Sequence, residues 1–562
     1  MTFLGRTVAL LLGGSMFLSQ VPPANGQPRA PSMAGRSTMY APRGAIATSH
    51  PLATTAGLTV LERGGNAIDA AVTAAAVLNV VEPMMTGAGG DLFALYWLAK
   101  EKRLVGLNGS GRSGSLISRD LLLKRGHKAM PTSGAESITV PGALAAWQDL
   151  LAAHGTITLA DALAPAIRLA EEGFPLTPII AGDWASTGEV LEKDEGGRAT
   201  YLIDGTRYPK TGEWIRNPDL AATFRLIANE GVAAFYGGSL GAKVARRIQE
   251  LGGFVTVDDL AAHRSDWVVP ISVPFKGYRL YELPPNGQGI AALEMLRILE
   301  PYDLKGMGHN TASYLHHLIE AKKLAFADLE RFVGDPTAMT TPAEHLLSDA
   351  FIAERRSRLN ARRATERAEP GPALTSSETI YLTAADQFGN MVSFINSLAG
   401  GFGSGVVVPG TGLALQNRGA GFTLTDGLPN TVAPRKRPFH TIIPAFVTKT
   451  AADGREEPWM SYGVMGGGMQ PQGHVQVLLN LLVFGMDLQE AVDAARFRHS
   501  SGYKVALEPP IGEFVRAELT AMGHEVSDLP ASSAGGAQAI VKLAKGYAAG
   551  SDPRKDGMAA GH

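Results

Sequence analysis

The stretch TIYLTAADQFGNMVSFINS, Thr379 to Ser397, limits what this chain can fold into more than any other. Ile380, Leu382 and Ala384 fall on one face of a strand, and Tyr381, Thr383 and Ala385 on the other. Asp386-Gln387-Phe388-Gly389-Asn390 is a turn signal, and Gly389 suits the left-handed position of a three-residue hairpin loop. The return strand runs from Met391 to Ser397. With Phe388 at the turn centre, Thr379 faces Ser397, and directly opposed β-carbons lie about 4.5–5.5 Å apart. The hairpin thus brings one hydroxyl to another at its open end, and a slip of one residue would separate them. From the hairpin alone, a cross-strand polar pair is the plainer reading.

The rest of the chain supplies layers for such a hairpin. His50–Gly64 and Asn66–Val81 read as a helix pair. The first is punctuated by Pro51 and stopped by Gly64-Gly65. The second, AIDAAVTAAAVLNVV, is small and apolar nearly all round, as a buried helix is. TGAGGDLFALYWLA follows, a glycine-rich loop running into a strand. Pro141–Ala153, Thr158–Gly173 and Asn310–Phe332 are further predicted helices. Ala350–Ser377 is charged, then rich in Pro, Gly and Ser, which predicts a solvent-exposed, poorly ordered linker. Beyond it strands dominate, with helices after Gln472 and after Asp487. Mixed elements with strands gathered in the last third favour an α+β, αββα-type sandwich over a strictly alternating parallel sheet.

Cysteine is absent from all 562 residues, which excludes disulfides, thiolate catalysis and cysteine zinc sites. A nucleophile must then be Ser, Thr, Lys or a carboxylate. The formal net charge of −2 gives no sign of a nucleic-acid or anionic-membrane partner. None of the thirteen histidines falls in an HExxH pattern. His316 and His317, adjacent in a predicted helix, point to different faces, so a surface or core role is expected and no metal site. At the start of the chain, Arg6 precedes the apolar Val8–Leu12 and Met16–Leu18, with small residues at Ala24 and Gly26. This reads as a signal peptide over 1–26, too short for a membrane span, and predicts a periplasmic or secreted protein.

A second informative segment is WMSYGVMGGGMQPQGHVQVLLNLL, Trp459 to Leu482. A strand is expected to end at Met465, three glycines follow, and a helix is expected to begin near Gln472. Amides free of side chains beside a helix N-terminus make a good oxyanion site. The Lys-Ser/Thr pair of a phosphate-cradling loop is missing. GFGSG at Gly401–Gly405 opens no helix and fails the dinucleotide pattern. Each glycine run, taken alone, is as readily a tight turn.

Together these segments resemble the gamma-glutamyltranspeptidase family, a branch of the N-terminal-nucleophile hydrolases, over nearly the whole mature chain. The marks are LERGGNAIDAAVTAAAVLNVVEP with TGAGGD after it, SITVPGALAAW, AEEGFPL, KLAFADLERFVGDP, FGSG, KRPF, GVMGGG and GSDPR. The resemblance implies a four-layer αββα sandwich built from two chains after self-cleavage between Glu378 and Thr379. Residues 27–378 would form a large subunit, and 379–562 a small one that opens with the catalytic Thr379. In that chemistry the Thr379 hydroxyl attacks the Glu378 carbonyl, giving an ester that water opens. The freed α-amine, with an unperturbed pKa of about 7.7–8.0, takes the proton of the same residue's hydroxyl. The acyl group of a small-molecule amide then passes to Thr379, and water or an amine acceptor removes it. Gly466 and Gly467 match the family's oxyanion-hole glycines. Ser397 matches a position where the family has a threonine bonded to the nucleophile. No cofactor is implied.

The substrate-clamping positions depart from the best-known members. The family's carboxylate-gripping arginine aligns with Ser110, two residues from Arg112. An asparagine near the site is Ala399, and the glutamine and amine-gripping aspartate align with Arg418 and Gly421. The usual serine pair is His440 and Thr441, and a short lid loop, Thr423–Arg437, separates Phe422 from Pro438. An α-ammonium desolvated without a counter-charge is costly. Arg418 beside Asn417 suits a carboxylate instead. QNRGAGF with RPFHTIIP is similar to the cephalosporin-acylase-like branch. The expected substrate-binding set is Arg112, Asn417, Arg418, His440 and Thr441. A structural ion pair for Arg418 and a core histidine for His440 are the plain alternatives. The expected activity is cleavage of glutathione-like γ-glutamyl amides. Hydrolysis of other acyl amides, such as glutaryl ones, is the alternative, and a non-catalytic periplasmic protein of the same fold a third reading.

Overall fold

The computed structural model describes residues 35–366 and 378–562. The expected signal peptide and the segment 367–377 lie outside the described residues. Two seven-stranded sheets, antiparallel at every pairing, stack face to face. The first, edge to edge, is Met558–Gly561, Ala45–Thr48, Glu378–Ala385, Met391–Ala399, Asp91–Leu98, Arg103–Asn108 and Asp266–Val268. The second is Met39–Ala41, Tyr547–Ser551, Ala537–Lys542, Glu456–Val464, Ala445–Thr450, Tyr278–Glu282 and Ile271–Phe275.

Strand alternation explains the layering. Tyr381 and Ala385 turn inward and share the inter-sheet core with Phe93, Trp97, Ile395, Phe446 and Ile540. Ile380, Leu382 and Ala384 turn outward onto a second core, shared with helices Pro51–Glu62 and Ala67–Val81. Helix Ala67–Val81 is buried along its whole length. Asn66 and Asp69 form a capping box at its start, and Asp69 also accepts from the Thr156 N–H at 2.7 Å. Helices Gly289–Leu299, Ala312–Phe332 and Met469–Leu482 cover the outer face of the other sheet. The result is the αββα sandwich. No helix among the described residues is long and apolar enough to cross a membrane.

The structure differs from the sequence reading in three places. The stretch from Ala350 is ordered at first: Asp349–Ser357 is a helix, capped by Ser348, with Ile352 buried and Arg355 paired to Asp328. Order continues to Thr365, whose neighbour Ala364 donates its N–H to the Met522 carbonyl at 2.7 Å. The helix after the glycine triplet begins at Met469 rather than near Gln472, because Gly468 already serves as its N-cap. Strands are not confined to the last third. Four strands of the first sheet and three of the second come from residues 39–108 and 266–282, whose short apolar runs join the sheets through distant partners as well as local hairpins.

Candidate active site

The hairpin has the register its turn implies: Ile380 opposite Asn396, Tyr381 opposite Ile395, and so on to Ala385 opposite Met391. Gly389 takes φ +89° in the loop, and the Asp386 carboxylate receives the N–H groups of Phe388 and Asn390. At the open end the register shifts, with Glu378 opposite Ala399, so Thr379 lies at a bulge. Bulges re-aim side chains beside functional sites. Here the Thr379 Oγ1 and Ser397 Oγ lie 3.0 Å apart, and both residues are buried, at 1% and 0% exposure.

The facing sheet brings the glycines to the same level. Thr383 Oγ1 meets Ser461 Oγ at 2.5 Å across the sheets, and a side chain on Gly463 would strike the Tyr381 ring. Continued two residues further along each strand, the same correspondence puts Thr379 at the level of Met465, where the glycine triplet begins. Gly466 and Gly467 have φ of +117° and +59°, a region that L side chains rarely adopt. Among the described residues neither N–H has a hydrogen-bond acceptor, while both carbonyls accept from the helix that follows. Gln288 Nε2 donates to the Gly467 carbonyl at 2.8 Å and to the Thr441 carbonyl at 2.6 Å, tying the two loops together. The loop therefore offers two free, preorganised donors, as an oxyanion site requires.

On the other side of Ser397 lies a charged cluster. Arg418 is fully buried; its Nη1 donates to Thr441 Oγ1 at 2.9 Å and its Nη2 to Ser397 Oγ at 3.2 Å. Its Nε lies 3.6 Å from Asp91 Oδ2, an ion pair rather than a hydrogen bond. Burial pulls the guanidinium pKa down to about 10, against the pull of Asp91, so it stays charged at neutral pH. Asp91 pairs directly across from Ser397 in the neighbouring strand. Its carboxylate accepts from the Gly111 N–H at 2.9 Å and from His440 Nε2 at 3.3 Å. Burial alone would raise its pKa. The hydrogen bond from His440, the charge of Arg418 and the Gly111 N–H outweigh burial and hold it below the usual value. His440, its ring tilted against Phe93, is pushed by burial, and secondarily by Arg418, down to about 4. It is neutral at pH 7, with the hydrogen on Nε2 facing Asp91.

The other candidates sit around this cluster in different ways. The Asn417 side chain is engaged at both ends with backbone, accepting from Gly400 N–H and donating to the Thr132 carbonyl, both at 2.7 Å. Arg112 is part of a separate group, 3.2 Å from Asp335 and 3.8 Å from Asp266. Asp91 and Gln288 were not singled out in the sequence. Asp91 does close the TGAGGD loop at the start of a strand, but its place beside Ser397 depends on a strand pairing three hundred residues apart in the chain. Among the described residues one cluster has metal-ligand types within 4.8 Å: His316, Glu320 and His524. There His316 Nδ1 and His524 Nε2 are already bonded to each other at 2.8 Å, and the Lys323 ammonium lies 2.8 Å from Glu320. A cation would have to displace both contacts. His317 instead donates to the Ser313 carbonyl, so both histidines are core residues.

Comparison with known proteins agrees with the fold. The sequence model of the Gamma-glutamyltranspeptidase family matches residues 53–562. The chain is 36% identical over 527 residues to the Glutathione hydrolase-like YwrD proenzyme of Bacillus subtilis, covering 92% of this chain and 98% of that protein. It is 36% identical over 507 residues to the Acylase ACY 1 proenzyme of Pseudomonas sp. (strain SE83), covering 89% of each. The cephalosporin acylase from Bacillus halodurans superposes with a TM-score of 0.87 at 41% identity, over 96% of this chain and 99% of that one. Hairpin, glycine loop and sandwich together with these matches place the chain in the gamma-glutamyltranspeptidase family of amidohydrolases.

Proposed function

We propose that this protein is a self-processing amidohydrolase that uses Thr379 as nucleophile on acyl amides whose acyl group carries a carboxylate, of the glutaryl type. In the precursor the Thr379 hydroxyl attacks the carbonyl of Glu378, and the Glu378–Thr379 peptide bond becomes an ester that water hydrolyses. The released α-amine then takes the hydroxyl proton as Thr379 attacks the substrate carbonyl. The N–H groups of Gly466 and Gly467 receive the oxyanion. The amine leaving group departs with the proton, and water, activated by the same α-amine, frees the acid.

The observation that carries the substrate class is the balance of donors and acceptors beside Thr379. Asp91, the acid in contact with Arg418, is taken up by Gly111, His440 and Arg418. An incoming ammonium group would find no unpaired anion there, and burying it unpaired is costly. Arg418 uses two of its N–H groups in hydrogen bonds and turns Nε toward Asp91, which leaves further Nη hydrogens for a carboxylate. The likeness to two acylases supports the same reading. The second reading is γ-glutamyl hydrolysis, favoured by the likeness to a glutathione hydrolase-like protein. A γ-glutamyl group has a suitable carboxylate but adds the unmatched ammonium.

The test is a comparison of a glutaryl anilide with a γ-glutamyl anilide. The first is expected to show a kcat/KM higher by about tenfold or more; the reverse order would replace the first reading by the second. N-terminal sequencing of the small fragment should begin at Thr379. Thr379→Ala should give an uncut, inactive chain, and normal cutting of that variant would overturn the nucleophile assignment. Export through residues 1–26 belongs to the same proposal and predicts a large fragment beginning at Gln27 in the periplasmic or secreted fraction.

A further inference from the structure

A hydroxyl oxygen has two lone pairs and one hydrogen. Ser397 Oγ accepts from the Ala399 N–H at 2.9 Å and from Arg418 Nη2 at 3.2 Å. Both lone pairs are then in use, and its own hydrogen has to be donated. Thr379 Oγ1, 3.0 Å away, is placed to receive it. Read in that sense, the contact has Ser397 as its donor. Ser397 gives a hydrogen bond to the oxygen that becomes negative as it reacts, and the Thr379 hydrogen is directed elsewhere, toward the α-amine that forms on cleavage.

That sense depends on Arg418 staying where it is. A guanidinium with no exposed surface requires a counter-charge, and its ion-pair partner among the described residues is Asp91. Asp91 is itself held by three independent features. Its strand pairs it across from Ser397, the Gly111 N–H binds Oδ1, and His440 Nε2 faces Oδ2. We propose that Asp91 is a positioning residue for the nucleophile: it fixes Arg418, which fixes Ser397 as a donor to Thr379. The inference rests on the reading of Thr379 as nucleophile. It predicts that Asp91 acts on kcat through Arg418, and that any change it makes in KM is no larger than the change made by loss of Arg418 itself.

The experiment is a double-mutant cycle on the processed enzyme with a glutaryl anilide, using Asp91→Asn, Arg418→Gln and the double variant. Folding is checked by near-ultraviolet circular dichroism and thermal midpoint. Asp91→Asn is expected to lower kcat on the order of 100-fold, with KM raised no more than by Arg418→Gln. The double variant is expected to be no slower than Arg418→Gln alone, because Asp91 has nothing left to act through. Losses that multiply, or a folded Asp91→Asn enzyme within about threefold of the parent kcat, would overturn the proposal. If Asp91→Asn does not fold, the deciding variant is Arg418→Lys. It keeps the charge beside Asp91 but lacks the second fork nitrogen that reaches Ser397. A reduced kcat at an unchanged thermal midpoint supports the proposal, and an unchanged kcat overturns it. If a variant no longer cuts itself, the same cycle is read on the rate of precursor cleavage. Failure of the cycle with Thr379 at the N-terminus of the small chain removes only the role of Asp91. Cutting of a Thr379→Ala chain removes the nucleophile assignment itself.

Discussion

In the proposed mechanism Thr379 supplies both the attacking oxygen and, once the chain is cut, the base that deprotonates it. Burial excludes water from the pair it forms with Ser397, so each hydrogen bond there is worth more than it would be in solvent. The same low dielectric penalises groups without partners. Glu82, just past helix Ala67–Val81, is fully buried, and among the described residues neither carboxylate oxygen makes a hydrogen bond of good geometry. Burial raises its pKa to about 7, with the nearby Ser49 hydroxyl and Lys555 opposing and Asp183 and Asp556 assisting. The folded value lies above the unfolded one, so ionised Glu82 costs stability above pH 7, and the cost disappears as pH falls below the ordinary glutamate range. Glu82→Gln is expected to be more stable than the parent by roughly 2–4 kcal/mol at pH 8 and about equal to it near pH 4.5. Urea unfolding at the two pH values checks this; an equal gain at both would exclude titration of Glu82 as the cause.

At the scale of elements, the site is where two strands from facing sheets and one hairpin end meet. Their close approach is set by Gly463, whose added β-carbon would lie 2.4 Å from the Tyr381 ring. Tyr381 is two residues from Thr379 on the same face of its strand, and its hydroxyl bonds Ser393 Oγ at 2.7 Å. Gly463→Ala is therefore expected to push the sheets apart, costing about 1–3 kcal/mol. It should also slow self-cleavage, because Thr379 would be displaced from the glycine amides. Thermal melting and the fraction of uncut chain on a gel measure the two effects. A variant that loses stability but cuts at the parent rate would show that the inter-sheet spacing does not set the geometry of cleavage.

At the scale of the whole molecule, the proposed cut falls between pieces that are woven together. In the first sheet, Glu378–Ala385 lies beside Ala45–Thr48, which also pairs with Met558–Gly561. In the second, Met39–Ala41 pairs with Tyr547–Ser551, and Ala445–Thr450 with Tyr278–Glu282. Strands from before and after the cut thus pair directly with one another in both sheets, and no face separates the two products. After cleavage the fragments are expected to elute together in gel filtration and to melt in one cooperative transition, separating only in denaturant. Two transitions, or separation of the fragments in buffer, would contradict this.

The sequence by itself determined the local chemistry. The alternation from Thr379 to Ala385, the turn at Gly389 and the opposition to Ser397 follow from period-two geometry within one short segment. The helix pair at 51–81 and the glycine run at 466–468 were equally legible, since caps, periodicity and glycine conformation act over a few residues. What only the tertiary structure decided was which distant groups share the hydroxyl. Asp91, Arg418, His440 and Gln288 come from three separate stretches of chain, and no local pattern encodes that Asp91 neutralises Arg418 or that Gln288 ties Thr441 to Gly467. The order of residues up to Thr365 was also hidden, because a charged sequence reads as solvated until its partners Asp328 and Glu320 are seen beside it. Local propensity is a property of neighbours in sequence, whereas charge pairing and burial belong to neighbours in space, which only the folded sheets bring together.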